Sequence, residues 1–93
     1  MDCREEITVR LTDLSSGPKV PLLFKHFCKG ARDRNACWLY RNERIENDWI
    51  VAIEWSRVTN PDHMKVQRDW LVWALGDLGQ VRCNLWKNDV SGE

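Results

Sequence analysis

The first clear pattern along the chain is a strict alternation. From Glu6 to Thr12, Ile7, Val9 and Leu11 alternate with Thr8, Arg10 and Thr12, which predicts a half-buried β-strand over 6–12. Residues 1–5 are polar and are expected to fray. Leu14-Ser15-Ser16-Gly17 breaks the alternation, and Pro18 stands where the first position of a helix belongs. Leu22, Leu23, Phe24, Phe27, Cys28 and Ala31 then fall at helical spacing, with Lys19, Lys25, Lys29 and Arg32 between them, so a helix is expected over 18–32. After the polar break Arg32-Asp33-Arg34-Asn35, the stretch from Ala36 to Trp55 reads as two strands, 36–44 and 49–55. The polar Glu46-Asn47-Asp48 supplies turn chemistry between them.

Asn60-Pro61-Asp62 is a helix start, with a capping side chain, proline at the first position and an acid at the positive end. A second helix is expected over 61–75, stopped by Gly76. Met64, Leu71, Ala74, Leu75 and Leu78 form one apolar stripe on it, and Val66, Trp70 and Trp73 form another. Two stripes call for two partners: the sheet, and either the first helix or a neighbouring subunit. Gln80 to Trp86 alternates Val81, Cys83 and Leu85 with Arg82, Asn84 and Trp86, a fourth strand over 80–86. The order β-α-β-β-α-β makes this an α+β chain with the ferredoxin-like split arrangement, two helices on one face of an antiparallel sheet. It is read as a single domain over 1–93, with an ordered core of about 6–87.

Composition narrows the classes. Fourteen basic residues balance fourteen acidic ones, so no net field draws the chain to nucleic acid, and neither nucleic acid nor membrane is an expected partner. The apolar run Trp49 to Ile53 is far short of a membrane span, and the N-terminus opens no signal peptide; a cytoplasmic protein is expected. Cys3, Cys28, Cys37 and Cys83 are isolated in sequence, which argues against a disulfide framework. His26, Cys28, Cys37 and Cys83 lack the close ligand spacing of a zinc site, so no metal is expected. No nucleophile elbow, phosphate loop or dinucleotide fingerprint occurs. A domain with six tryptophans has too little volume to hide them all, and a homodimer is expected to cover the open sheet face.

The stretch Ala36-Cys37-Trp38-Leu39-Tyr40-Arg41, a polar connection, and Trp49-Ile50-Val51-Ala52-Ile53-Glu54-Trp55 resembles the central hairpin of the antibiotic biosynthesis monooxygenase-like family. There, a strand ending in a tyrosine and a basic residue precedes one ending in Glu-Trp. With Leu75-Gly76-Asp77-Leu78-Gly79 and the last strand, the resemblance covers about 35–86. It implies a dimeric α/β barrel with a small-molecule pocket between each sheet and its helices, and a cofactor-independent oxygenase acting on phenol- or quinone-type aromatics. The haem-degrading branch fits less well: His63 stands too early in the second helix, and the first strand shows Ile7-Thr8-Val9-Arg10 where those enzymes carry an asparagine. The alternative class is a non-catalytic dimeric small-molecule-binding or protein-interaction module on the same fold.

Four residues are candidates for the ligand site. Trp55 has an indole N–H able to orient a phenolic oxygen, and Tyr40 a phenol able to stack or donate. Arg82 and Asn84 share one strand face and are suited to an anionic or carbonyl group. Each also has an ordinary packing or solvated use. No catalytic residue is singled out.

Overall fold

The computed structural model describes residues 3–30, 34–55 and 61–87. Its elements are β1 (Cys3–Leu11), α1 (Lys19–Gly30), β2 (Arg34–Arg41), β3 (Asp48–Trp55), α2 (Pro61–Gly76) and β4 (Gly79–Lys87). The strands form one antiparallel sheet in the order β2-β3-β1-β4. This is the ferredoxin-like arrangement the element order requires.

One difference from the expected boundaries is at the start of β1, which begins at Cys3 rather than at Glu6. The polar residues Arg4 and Glu5 do not fray because β1 is a central strand, with Cys3 opposite Trp55 on one side and Lys87 on the other. Both edges of their backbone are therefore hydrogen-bonded. β2 ends at Arg41, short of the expected Arg44, because the Asn42 side chain accepts from the Arg44 and Ile45 amides at 2.8 and 3.0 Å. That local side-chain turn, closed by the Asn42 amide donating to the Asp48 carbonyl at 2.8 Å, competes with the ladder and wins. Before α1, Asp13 caps a 3-10 turn over Leu14–Ser16 by accepting from the Ser15 amide at 2.9 Å. The expected cap at Asn60 and the expected helix end at 31–32 lie outside the described residues; Pro61 is the first residue of α2.

The core lies between sheet and helices. Ile7, Val9 and Leu11 of β1 and Val51, Ile53 and Trp55 of β3 meet Val20 and Phe27 of α1 and Leu71 and Leu75 of α2. Of the two stripes on α2, Leu71, Ala74 and Leu75 are buried against the sheet, with Met64 and Leu78 packed at the margin. The second stripe divides. Trp70 packs against His26 of α1, with ring centroids 5.1 Å apart and planes tilted by 43°, whereas Val66 and Trp73 are exposed. Gly79 is fixed by contact: a Cβ there would stand 1.9 Å from the Arg10 carbonyl oxygen on the facing strand, so only glycine lets β4 approach β1 at this point.

Candidate functional site

Side chains alternate across the sheet, and the register sorts the four candidate residues onto two faces. Trp55 points toward the helices and is fully buried. Tyr40, Ile50, Thr8 and Arg82 form one row across the opposite, outer face. Asn84 lies opposite Glu6 on that same face. The fold therefore brings Tyr40, Arg82 and Asn84 to one surface and separates Trp55 from them by the thickness of the sheet.

On the helix side, Trp55 has a partner that periodicity did not single out. Its indole N–H donates to a carboxylate oxygen of Glu5 at 2.9 Å. Glu5 is 1% exposed and is the one charged residue in the described core. Its other oxygen is 3.6 Å from an Arg68 guanidinium nitrogen, and Arg68 in turn donates to Asp69 from two nitrogens at 3.1 and 3.2 Å. These positions follow from the elements. Glu5 continues the inward alternation of Ile7, Val9 and Leu11 by one further step. Arg68 stands three residues before the buried Leu71 on α2 and close enough to β4 for its charge to act on Cys83.

Electrostatics make this carboxyl unusual. Burial pushes the Glu5 pKa above its ordinary value, because the ionised form loses water; the Arg68 charge and the donors from Trp55 and Arg68 oppose the shift without cancelling it. The same neighbourhood raises the Cys83 thiol, first through burial and then through the Glu5 charge. Cys83 and Leu85 project from β4 toward the helix side, as their pairing with Ile7 and Glu5 requires, yet both are exposed. α2 therefore does not cover the inner face as far as the β4 edge, whereas the Glu5 carboxylate, one strand further in, is closed off from solvent. A proton acceptor, an N–H donor and a fixed cation converge at that buried point. This set can take a proton from a weak acid and hold the resulting anion.

The outer face carries a different chemistry. Arg4 lies 5.6 Å from the centroid of the Trp38 ring and bridges to Glu6 at 3.3 Å and Glu54 at 3.7 Å. Arg10 forms a two-pronged pair with Asp48 at 2.7 and 2.9 Å, which holds the Asp48 carboxyl below its usual range. A shallow cavity of about 360 Å³ runs between Tyr40, Ile50, Thr8, Arg10 and Arg82. Tyr40 and Ile50 in this cavity, and Trp38 and Trp86 elsewhere on the same face, are exposed, a large amount of apolar surface for one face of a small domain. Among the described residues, no group of three or more His, Cys, Asp or Glu side chains is placed to hold a metal ion. No helix of these residues is long and apolar enough to cross a membrane.

No family model and no curated protein sequence matches the chain. Solved structures do. A cofactor-independent oxygenase from Streptomyces nogalater, SnoaB, is similar with a TM-score of 0.71 at 12% identity, over 98% of this chain and 96% of that one. A conserved protein from Methanosarcina mazei gives a TM-score of 0.76 at 10% identity, over 96% and 94% of the two chains. A candidate antibiotic biosynthesis monooxygenase from Caulobacter crescentus gives 0.71 at 11% identity, over 96% and 91%. The identities are low, so these similarities show the fold. The Caulobacter protein carries the name of the family that the hairpin resembles.

Proposed function

We propose that this chain is a cofactor-independent oxygenase of phenol- or quinone-type aromatics, with its reacting site between sheet and helices at Glu5, Trp55 and Arg68. The observation that carries the reading is the buried Glu5 carboxyl, held by an indole N–H and a guanidinium, with its pKa raised by burial. A raised carboxyl is a stronger base when ionised and keeps its proton longer once protonated. A phenolic ligand entering beside Cys83 and Leu85 gives its proton to Glu5. Arg68 and the Trp55 N–H, relieved of the carboxylate charge, then stabilise the ligand's anion. The electron-rich anion, shielded from water, is the species that reacts with dioxygen.

In this reading Tyr40, Arg82 and Asn84 belong to a second surface. The outer sheet face pairs with that of another copy, and the exposed Trp38, Tyr40, Ile50 and Trp86 are covered in a homodimer. The alternative, a non-catalytic binding module, is favoured by one feature: both Glu5 oxygens already have partners within the chain. A titration with a panel of hydroxyquinones separates the two, recording tryptophan fluorescence and oxygen uptake for wild type and Trp55→Phe. Quenching with ligand-dependent oxygen uptake, both weakened in Trp55→Phe, supports the oxygenase. Quenching without uptake favours the binding module, and no response from either protein overturns the site.

A further inference from the structure

None of the four cysteines is in a disulfide, yet two of them are nearly in bonding position. Cys37 stands opposite Ile53 in the sheet, so its side chain leaves β2 toward the helices. Cys28, in the last turns of α1 beside the buried Phe27, meets it there. The two sulfurs are 2.8 Å apart, about 0.8 Å beyond the length of an S–S bond. Both residues are half-buried, so small reagents reach them.

The remaining cysteines have no such geometry. Cys3 and Cys83 lie on neighbouring strands, but Cys3 is opposite Lys87 and Cys83 opposite Ile7. An offset of four residues is roughly 13 Å at the rise of a strand, well outside the reach of a disulfide. Cys3 and Cys37 are on strands separated by β3. The pair already within reach of a bridge, Cys28 and Cys37, joins α1 to β2.

We infer that Cys28 and Cys37 form a reversible dithiol–disulfide pair, oxidised by small-molecule disulfides such as oxidised glutathione. The thiolate of one cysteine attacks a sulfur of the small disulfide. A mixed disulfide forms, and one glutathione thiolate leaves and takes up a proton. The second cysteine, losing its proton, attacks the protein-side sulfur and expels the other glutathione. Two protein thiols are oxidised to one disulfide, and one small disulfide is reduced to two thiols. The bridge closes a short loop around the α1–β2 connection. It also ties β2, an edge strand paired only with β3, covalently to the helical layer. Oxidation thus locks the part of the sheet with the fewest backbone partners.

The test is a peptide map of the full chain, reduced and then incubated with oxidised glutathione at about pH 8, near the ordinary thiol pKa. Trypsin cuts after Lys29, Arg32 and Arg34, so Cys28 and Cys37 leave on separate peptides unless they are bridged. The expected result is a joined Cys28–Cys37 peptide pair and a rise in Tm of roughly 10 °C, both reversed by dithiothreitol. Cys37→Ser is expected to carry glutathione on Cys28, with no joined pair and no such rise. Separate glutathione adducts on Cys28 and Cys37, unmodified thiols at both, or a different pairing in the wild-type map overturns the inference. The wild-type map decides even if the variant does not fold.

Discussion

Replacing Trp55 by phenylalanine removes one N–H from a sealed site while keeping most of an aromatic ring. Trp55 is fully buried and its nitrogen is 2.9 Å from Glu5, so no water takes over the lost donor. A hydrogen bond to a charged group contributes about 1.5–3 kcal/mol, and the void left by the smaller ring adds about 1 kcal/mol. The expected loss is about 2.5–4 kcal/mol, within the margin of a domain of this size, which is about 5–14 kcal/mol. Urea unfolding at pH 8, followed by far-UV circular dichroism, measures it. The decisive comparison repeats the substitution in a Glu5→Gln background. There the acceptor is neutral, the bond contributes about 0.5–1.5 kcal/mol, and Trp55→Phe should cost about 1–1.5 kcal/mol less than in wild type. An equal cost in both backgrounds would show that Trp55 contributes only through packing and would refute the charged pairing at the centre of the site.

Three further outcomes follow from other contacts. Because the folded Glu5 pKa lies above its unfolded value of about 4.5, the native state holds the proton more tightly. Its contribution to stability is complete below that value and is lost as pH rises through the folded pKa; Glu5→Gln should remove this component from the pH profile of urea unfolding, and an unchanged profile would count against it. Gly79→Ala places a Cβ 1.9 Å from a backbone oxygen and is expected to lower stability by more than 2 kcal/mol; a thermal melt within a few degrees of wild type contradicts the close approach. Ile50→Asp puts a charge in the middle of the outer face, where Ile50 is exposed, and should convert a dimer to a folded monomer by light scattering. A wild type that is monomeric at micromolar concentration removes the outer-face pairing altogether.

The fold was legible because periodicity records burial directly. The two-residue alternation of Ile7, Val9 and Leu11 and the helical spacing of Leu71, Ala74 and Leu75 mark the same residues that line the core. Glu5 was not legible, although it continues the β1 alternation by one step, because a carboxylate near a terminus reads as solvated. Only the register, which brings the start of β1 between Trp55 and Lys87, shows that it is inside. Arg68 was hidden for a related reason: its partner is 63 positions away in sequence, and nothing local on α2 marks it. The division of Trp55 from Tyr40, Arg82 and Asn84 was half visible. Alternation states that Trp38 and Tyr40 share a face, but which set of β2 side chains meets the helices depends on cross-strand pairing. The structure turns the smaller Cys37 and Leu39 inward and the aromatics outward. The proximity of Cys28 and Cys37 likewise depends on how α1 lies over β2.

The most direct measurement of the proposed chemistry is the protonation state of a bound ligand. A hydroxynaphthoquinone changes its visible absorption on ionising, so its spectrum reports whether the site removes its proton. At a pH about one unit below the ligand's own pKa, wild type is predicted to bind it as the anion, with the spectrum of the ionised form. Because Arg68 is then without its carboxylate partner, Glu5→Gln should also bind the anion, but with the ligand's proton released to a weakly buffered solution, whereas wild type keeps that proton on Glu5 and releases none. Equal proton release by the two proteins, or a neutral ligand in wild type, would contradict Glu5 as the proton acceptor between sheet and helices.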